Sequence, residues 1–505
     1  MIKRFSVIAL ASMLALPLAA VANGDGGGDN VSELERKIEE LSRQLVELRA
    51  AVEQQKAVNE EQEEILDEID DKSEDWDLAA RFKFYGDFRS RLDYYNADTV
   101  FGRSLENDTL WTNRFRLNMR VMATENVEFK GRLAMYKAWG MQSAFTDDSG
   151  AIWPVFDGNV SRTPAEDSSL YVDRAYVNWA NIAGWPMWFS IGRRPTTDGP
   201  PAEVRLGLDE RQGTPMAFMN WPFDGLVLGY GWNWDAEQLG TSKVRFCYGR
   251  GFEDGLQADS ANTVDDMDFA GLSWDIMKKD DRFAYIQSFM AFDVINYPNF
   301  QNEIINAGFG EISGLGEREN LGEIWHSAGV YQDKVSDFNY FLAAGYSQTM
   351  PNSNGLFNDF ARMGAMLEGP NTDNEHGYSV YAGLRYDMDE IGLKLGGEFN
   401  WGSQYWIAMS PGHDEIYQSK LATRGQVYEV YLIYDLPTGE KLSKYAKTFI
   451  RLGYQYYDYE YSGSGDWNVY PYDLGDSADL AMLQALGQDP VESADQIYLT
   501  FEAFF

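Results

Sequence analysis

The sequence has almost no cysteine or histidine. Cys247 is the only cysteine, which excludes an internal disulfide, a zinc site built on paired cysteines and a Cys-x-x-Cys-His haem attachment. The three histidines, His326, His376 and His413, are far apart and lack the spacing of metal ligands. The residues therefore predict no metal site and no cofactor.

Basic residues and long apolar runs are also scarce. The chain has 42 Lys and Arg against 79 Asp and Glu, which gives a formal net charge of −37. Such an excess of negative charge would repel a phosphate backbone, so nucleic acid is excluded as a partner. After residue 22 no run of 18 apolar residues occurs, which excludes a transmembrane helix. If the chain enters a membrane, it does so as β-strands.

The first 75 residues predict export and then a rod. Lys3 and Arg4 precede an apolar run that ends near Ala20-Val21-Ala22, the pattern of a signal peptide over residues 1–22. Residues 23–30 are a glycine-rich flexible linker. Residues 31–75 are predicted to be a periplasmic coiled coil and hinge, whose heptad over 31–69 would form a rod of roughly 58 Å. A coiled coil needs partners, so this segment predicts a homo-oligomer, and its seam leaves dimer and trimer open.

From residue 81 the apolar period changes from 3.5 to 2, the period of β-strands. Phe115, Leu117 and Met119, for example, alternate with polar residues. Within the last ten residues, 496–505, one face is likewise apolar and the other carries the polar groups. We predict sixteen strands, near 81–94, 111–123, 126–139, 169–180, 186–194, 223–233, 242–250, 266–276, 282–293, 323–333, 336–349, 376–387, 391–402, 425–436, 446–460 and 495–505.

The lengths of the connections separate a membrane barrel from a soluble β-sandwich. Short connections such as 124–125 alternate with long ones such as 140–168 and 195–222. An up-and-down membrane barrel has short turns at one rim and long loops at the other, whereas a sandwich has no reason to alternate in this way. The sequence thus predicts an all-β transmembrane fold, an antiparallel up-and-down β-barrel of about sixteen strands over residues 81–505, preceded by the α-helical coiled coil.

The period-two strands and the terminal Phe505 resemble the bacterial outer-membrane porin family. In that family the third long loop, here 195–222, folds into the lumen, and its acidic residues face a ladder of basic residues. The resemblance implies a constriction loop with Asp198, Glu203, Asp209 and Glu210, although Arg205 and Arg211 depart from an acidic pattern. It also implies channel-lining side chains on strands one to three, namely Arg89, Arg91, Arg114, Arg116, Arg120, Lys130 and Arg132. Phe501 and Phe505 would be the signal read by the barrel-assembly machinery.

Two further likenesses concern the coiled coil and two short motifs. The coiled coil resembles the periplasmic extensions of sugar- and anion-selective porins. The stretches Asp173–Tyr176 and Ile191–Pro195 resemble an uncharacterised group of porin-like outer-membrane proteins. Together the resemblances imply an outer-membrane location with the coiled coil in the periplasm, contact with outer-membrane lipid, and a homotrimer.

The expected function is a porin, a water-filled channel for passive diffusion of small hydrophilic solutes or ions, with weak anion preference set by the basic side chains on strands one to three. Two alternatives stay open. The arginines could be neutralised by Asp87, Asp93 and Glu128 on neighbouring strands as an ordinary polar wall. The barrel could also be a tether to the cell wall, or a sheath around an electron-transfer partner, without free conduction. No histidine lies in the middle of a strand with a credible partner serine, and His326 beside Ser327 is near a strand start, so we expect no enzyme of the phospholipase kind.

Overall fold

The computed structural model describes residues 33, 36–53, 56, 81–139, 170–194, 199–208, 218–219, 223–253, 264–296, 319–410, 419–440, 442–443 and 445–505. The chain divides into two units, residues 1–80 and 81–505. In the first unit, residues 36–53 are α-helical, and the apolar heptad side chains Ile38, Leu41 and Leu45 are 54–61% exposed. The predicted signal peptide and linker lie outside the described residues. Pairing of the helix into a coiled coil stays a prediction.

The described residues of the second unit form sixteen strands, a few short helices and the connections between them. The strands are β1 Phe82–Thr99, β2 Ser104–Met122, β3 Val127–Ala138, β4 Tyr171–Ala180, β5 Met187–Arg194, β6 Phe223–Asn233, β7 Thr241–Phe252, β8 Met267–Lys279, β9 Arg282–Ile295, β10 Asn320–Val335, β11 Phe338–Pro351, β12 His376–Met388, β13 Leu393–Gly402, β14 Gly425–Asp435, β15 Lys447–Tyr459 and β16 Val491–Phe504. Short α-helices span Ala202–Arg205, Phe360–Gly364 and Ser477–Ala485, and single 3₁₀ turns span Ile182–Gly184, Glu237–Leu239, Asp389–Ile391 and Lys420–Ala422. In the part of the chain that the structure describes, no helix is both long and apolar enough to cross a membrane.

Every strand pairs antiparallel with its neighbours in sequence, and β1 closes the barrel by pairing with β16. The closing register places Phe88 opposite Ala503 and Leu92 opposite Leu499. Closure leaves no unpaired strand edge, which is the arrangement that a β-structure needs within lipid. The predicted sixteen-stranded antiparallel barrel is confirmed. We call the end with the connections between β2 and β3, β4 and β5, and so on, the short-turn rim, and the other end the long-loop rim.

The outward face of the barrel is apolar and exposed. Alternate positions on neighbouring strands carry large hydrophobic side chains, and Phe84, Leu272 and Leu342 are 61%, 60% and 55% exposed. Aromatic rings gather at the long-loop end of this face, where Tyr346 packs 5.5 Å from both Trp325 and Tyr378 between ring centroids. A contiguous apolar belt of this kind is unstable in water, and it matches the lipid-facing band of a membrane barrel.

The first connection differs from the prediction. We expected a long loop over 95–110, but β1 extends to Thr99 and β2 begins at Ser104. The two strands continue to pair beyond the apolar belt, as far as Asp98 opposite Ser104. The reason is that backbone pairing does not require an apolar face, so the hairpin persists where its outward side chains are polar.

Inside the barrel, the inner faces of β9 to β15 carry an apolar cluster instead of a purely polar surface. Phe283, Val330 and Phe341 on the strands pack with Val204 and Trp406 from two long loops. A second cluster near the long-loop rim joins β8 to β10 with residues 356–357 and 407–409. Sixteen strands enclose more volume than their own side chains fill, so loop residues supply the missing packing partners.

Closure at the C-terminus depends on a residue without a side chain. Gly86 and Phe505 exchange two backbone hydrogen bonds of 2.9 and 3.0 Å, and a Cβ at Gly86 would lie 2.4 Å from the Arg116 carbonyl oxygen and 2.8 Å from the Phe505 ring. We therefore expect Gly86→Ala to destabilise the barrel by about 1–3 kcal/mol through overpacking. A lower temperature for loss of the heat-resistant folded band in gel electrophoresis would measure this. Gly364→Ala is the matched control, because a Cβ there meets no atom within 4 Å, and equal effects of the two variants would contradict the account.

Candidate functional site

The seven basic residues assigned to the inner wall lie on β1, β2 and β3, and we call them the basic wall. Five of them are at most 7% exposed, namely Arg89, Arg91, Arg114, Arg116 and Arg132. Arg120 and Lys130, nearer the short-turn rim, keep side chains that are 42% and 36% exposed. All seven share the inward face because the strand period places every second residue there.

Carboxylates on the same strands neutralise much of the basic wall. Asp87 accepts hydrogen bonds from Arg116 Nε at 2.8 Å and from Arg114 Nη2 at 3.1 Å. Asp93 lies 2.7 Å from Arg91 Nη2, and both of these side chains are fully buried. The polar-wall alternative therefore describes these contacts correctly, since a buried arginine requires such a partner.

Carboxylates also pair with the basic side chains at the end of the basic wall near the short-turn rim. Glu128 binds both Arg120 and Lys130, at 2.5 and 2.6 Å, and Asp173 on β4 binds Arg132. Arg114 also lies 3.9 Å from Glu502 on β16, so carboxylates contact the basic wall along its length. Its role in lining a channel stays a prediction.

Residues 199–208 of the third long loop lie inside the barrel, and we call them the inner segment. Arg385 on β12 donates to the Val204 carbonyl at 2.8 Å, and Lys447, the first residue of β15, donates to the Gly207 carbonyl at 2.6 Å. Gly207 has φ +68°, a conformation that favours glycine and directs this carbonyl at the wall. Of the predicted acidic residues, Glu203 is 5% exposed and accepts from Gln332 on β10. Asp198, Asp209 and Glu210 lie outside the described residues.

Glu429 on β14 anchors the inner segment to the wall. Its carboxylate accepts from Arg205 Nε at 2.9 Å, from Lys420 Nζ at 2.7 Å and from Tyr498 Oη at 2.5 Å. Arg451 on β15 donates to the Arg205 carbonyl at 3.0 Å. Because these side chains are almost fully buried, the Coulomb attraction is little screened, and losing one partner would leave an uncompensated charge.

A second loop enters the lumen from the long-loop rim. Residues 403–410 and 419–424 form this second inward loop, in which Lys420 also binds Glu398 on β13. Trp406 is fully buried and donates to the Leu421 carbonyl at 2.8 Å. Arg424 donates to the Trp406 carbonyl at 3.1 Å and to the Gly463 carbonyl at 2.8 Å. The second inward loop is thereby tied to the last long loop.

Sequence reasoning missed most of this buried network. Glu398, Glu429 and Arg451 lie at inward positions of the strand alternation, and that parity was a usable signal. Lys420 and Arg424 lie in a long loop, where no periodicity indicates that a charged side chain will be buried.

A polar cavity of about 720 Å³, the vestibule, lies between the inner segment and the short-turn rim. Acidic residues outnumber basic ones in its lining, with Asp281, Asp333 and Asp389 facing Lys334 and Arg385 among others. In the described residues no group of three or more His, Cys, Asp or Glu is arranged to hold a metal ion. The vestibule is large enough for many water molecules, so the lumen at this end is wet.

Asp466 lies in the last long loop, beside the loop carbonyls that Arg424 binds, and burial of its carboxyl group raises its pKa from 3.8 to about 6. The folded loop therefore binds the proton more tightly than an opened loop. The free energy of unfolding of this loop should therefore rise as pH falls through about 6. The extra stability should be complete below pH 3.8. Hydrogen exchange of residues 462–468, corrected for the intrinsic rate, should show more protection at pH 4 than at pH 7. Asp466→Asn should remove this difference, and an identical pH profile in both proteins would contradict the assignment.

Comparison with known proteins gives one family and several structural likenesses. A chain of in-vitro folded OmpT, an outer membrane protein of Vibrio cholerae (trimer form), is 12% identical, with coverage of 84% of this chain and 99% of that one and a TM-score of 0.39. Salmonella typhi OmpF in complex with daunomycin is 12% identical over 84% of this chain and 97% of that one, also with a TM-score of 0.39. Likeness at this level assigns no function to this chain. No curated protein sequence matches it.

The family match covers most of the barrel. The profile described as "Protein of unknown function (DUF3373)" matches residues 104–505, from the start of β2 to the last residue of the sequence. The chain therefore belongs to the DUF3373 family.

Proposed function

We propose that this protein is an outer-membrane channel through which small hydrophilic solutes or ions diffuse passively. The observation that carries the proposal is the closed sixteen-stranded barrel with an exposed apolar belt outside and charged residues inside. Barrels of sixteen strands are wide enough for an aqueous channel, whereas eight strands fill their own interior. The inner segment and the second inward loop narrow this channel.

The short-turn rim faces the periplasm in this proposal. Bacterial outer-membrane barrels have short periplasmic turns and longer outer loops. β1 begins and β16 ends at the short-turn rim, so the segment before residue 81 would lie in the periplasm. The vestibule would then be the periplasmic mouth of the channel.

The proposal includes no enzyme activity. His326 packs between the rings of Phe289 and Trp406 on the inward face, at centroid distances of 5.0 and 5.4 Å. Ser327 faces outward, where it bonds Ser288 at 2.8 Å. The histidine and the adjacent serine are therefore on opposite faces and cannot act as a catalytic pair.

A non-conducting barrel is the second candidate. The apolar cluster formed by the inner segment, Trp406 and the inner faces of β9 to β15 favours it, because apolar packing excludes water from that side of the lumen. Such a barrel could serve as a tether or as a sheath for a partner protein.

Swelling of liposomes that contain the purified protein separates the two candidates. A channel should allow small sugars to enter, with rates that fall as the sugar grows. Circular dichroism of the same sample should show dominant β signal, which verifies that the barrel is folded. No swelling with a folded, inserted barrel would favour the tether or sheath.

We also propose that the protein is a homo-oligomer, with a trimer as the expected state. Along the helix 36–53 the apolar residues Ile38, Leu41 and Leu45 are exposed in the single chain, and helices with such a seam pair to bury it. Deleting residues 31–69 should weaken the assembly, measured by native mass spectrometry in detergent. A monomeric mature protein with this segment intact would contradict the proposal.

A further inference from the structure

A second cavity, of about 170 Å³, lies on the inner faces of β5 to β9, and we call it the recess. Phe223, Phe269 and Phe289 line it, and the ring centroids of Phe223 and Phe269 are 4.7 Å apart. Gly225, Gly249 and Gly271 are also among its lining residues and contribute no side chain to fill it. An apolar pocket with a few convergent polar groups is the usual form of a small-molecule site.

Two guanidinium groups reach the recess. Arg245 on β7 binds Asp275 and donates from Nε to Ser273 at 2.9 Å. Arg194 on β5 donates to Ser190 and stacks on the Tyr176 ring, with 4.9 Å from its guanidinium carbon to the ring centroid. Among the described residues, no carboxylate forms an ion pair with Arg194.

Two cationic groups line the recess, and Asp275, which is not among the lining residues, pairs with Arg245. Within the described residues this leaves Arg194 as a positive charge without an ion pair beside an aromatic lining. Arg194 is partly buried. A positive charge that is partly removed from water without a counter-ion is costly, and a bound anion would compensate it. Guanidinium groups bind carboxylates through paired, charge-assisted hydrogen bonds. An apolar cavity of about 150 Å³ in another protein accommodates benzene, so the recess has room for one aromatic ring.

We infer that the recess is a binding site for a small aromatic carboxylate of the size of benzoate, whose ring packs among the phenylalanines and whose carboxylate binds Arg194. Nothing in this inference requires conduction. A barrel that binds benzoate but does not conduct would overturn the proposed channel and keep the site. A conducting barrel that does not bind benzoate would overturn the proposed site and keep the channel.

Cys247 provides a built-in probe of the recess. It is the only cysteine of the chain, it lies two residues after Arg245 on the same inward face of β7, and it lines the recess. The full-length mature protein in detergent would be treated with a small neutral methanethiosulfonate reagent, and the modification rate followed by intact mass. We expect benzoate to slow the reaction in a saturable way, and the neutral isostere benzamide to require at least about tenfold higher concentration.

Two neighbouring variants make the test specific. Arg194→Gln should weaken benzoate protection by at least about tenfold, to the level of benzamide. Arg193→Gln is the matched control, because Arg193 pairs with Asp224 and is not among the residues lining the recess. Calorimetry with benzoate on the same proteins gives a second readout if the thiol reacts too slowly. Equal protection by benzoate and benzamide, or unchanged benzoate binding in Arg194→Gln, would overturn the inference.

Discussion

Glu429→Gln is expected to raise the conductance of the barrel by releasing the inner segment from the wall. The substitution keeps the shape of the side chain but removes the charge that Arg205 and Lys420 share. Two buried cations would then face each other without this counter-ion, at a cost of about 3–5 kcal/mol. Moving the inner segment towards water relieves this cost and widens the lumen. Single-channel recording should show larger steps than in the wild type.

Glu390→Gln is the matched control for this result, because Glu390 is exposed in a short turn. Its conductance and stability should equal those of the wild type, since exposed charges contribute little. Hydrogen exchange provides an independent readout, and residues 202–208 should exchange faster in Glu429→Gln alone. If conductance and exchange are both unchanged, the buried network does not hold the inner segment in place.

Ion selectivity should shift towards cations when the basic wall loses charge. Arg114 and Arg116 share Asp87, so replacing both by Gln would leave a buried carboxylate without its partners. The triple variant with Asp87→Asn avoids this cost and still removes one net positive charge from the wall. We expect a wild-type pore that weakly prefers anions, and a reversal potential in a salt gradient that moves towards cations in the triple variant. Arg114 and Arg116 are almost fully buried, so they would act on a permeating ion through the low-dielectric wall, where charge interactions are little screened.

Arg103→Gln tests whether loop charges could produce the same shift. Arg103 lies in the connection between β1 and β2 at the long-loop rim, and its side chain is 50% exposed. Charges in such positions are screened over about 8 Å at physiological salt. The reversal potential should therefore change little. A normal conductance with an unchanged reversal potential in the triple variant would mean that the basic wall has a structural role only.

The barrel could be predicted because the alternation that indicates each strand involves only residues close together in the sequence. Strands such as β2 alternate apolar and polar residues, and the predicted segment 223–233 coincides with β6. The basic wall was predictable for the same reason, since Arg114 and Arg116 must share a face when the period is two. The predicted end of β1 and the predicted start of β2 were wrong because the hairpin beyond the apolar belt does not alternate apolar and polar residues.

The interior of the barrel was not predictable in the same way. Whether Lys420 meets Glu398 and Glu429 depends on how a long loop folds back between strands far from it in sequence. The strands that carry Phe283 and Phe341 have apolar residues on both faces. Such a sequence does not indicate which face meets lipid and which face packs against a loop inside the barrel. The recess requires side chains from five strands, and no motif in the sequence marks it.

The most direct test of the proposed channel is single-channel recording of the purified wild-type protein in planar lipid bilayers. We predict discrete, ohmic current steps, smaller than those of Glu429→Gln under the same conditions, with weak anion preference in a salt gradient. Protein that is shown to be folded and inserted but gives no steps, in the wild type and in Glu429→Gln alike, would contradict the channel and leave the tether or sheath.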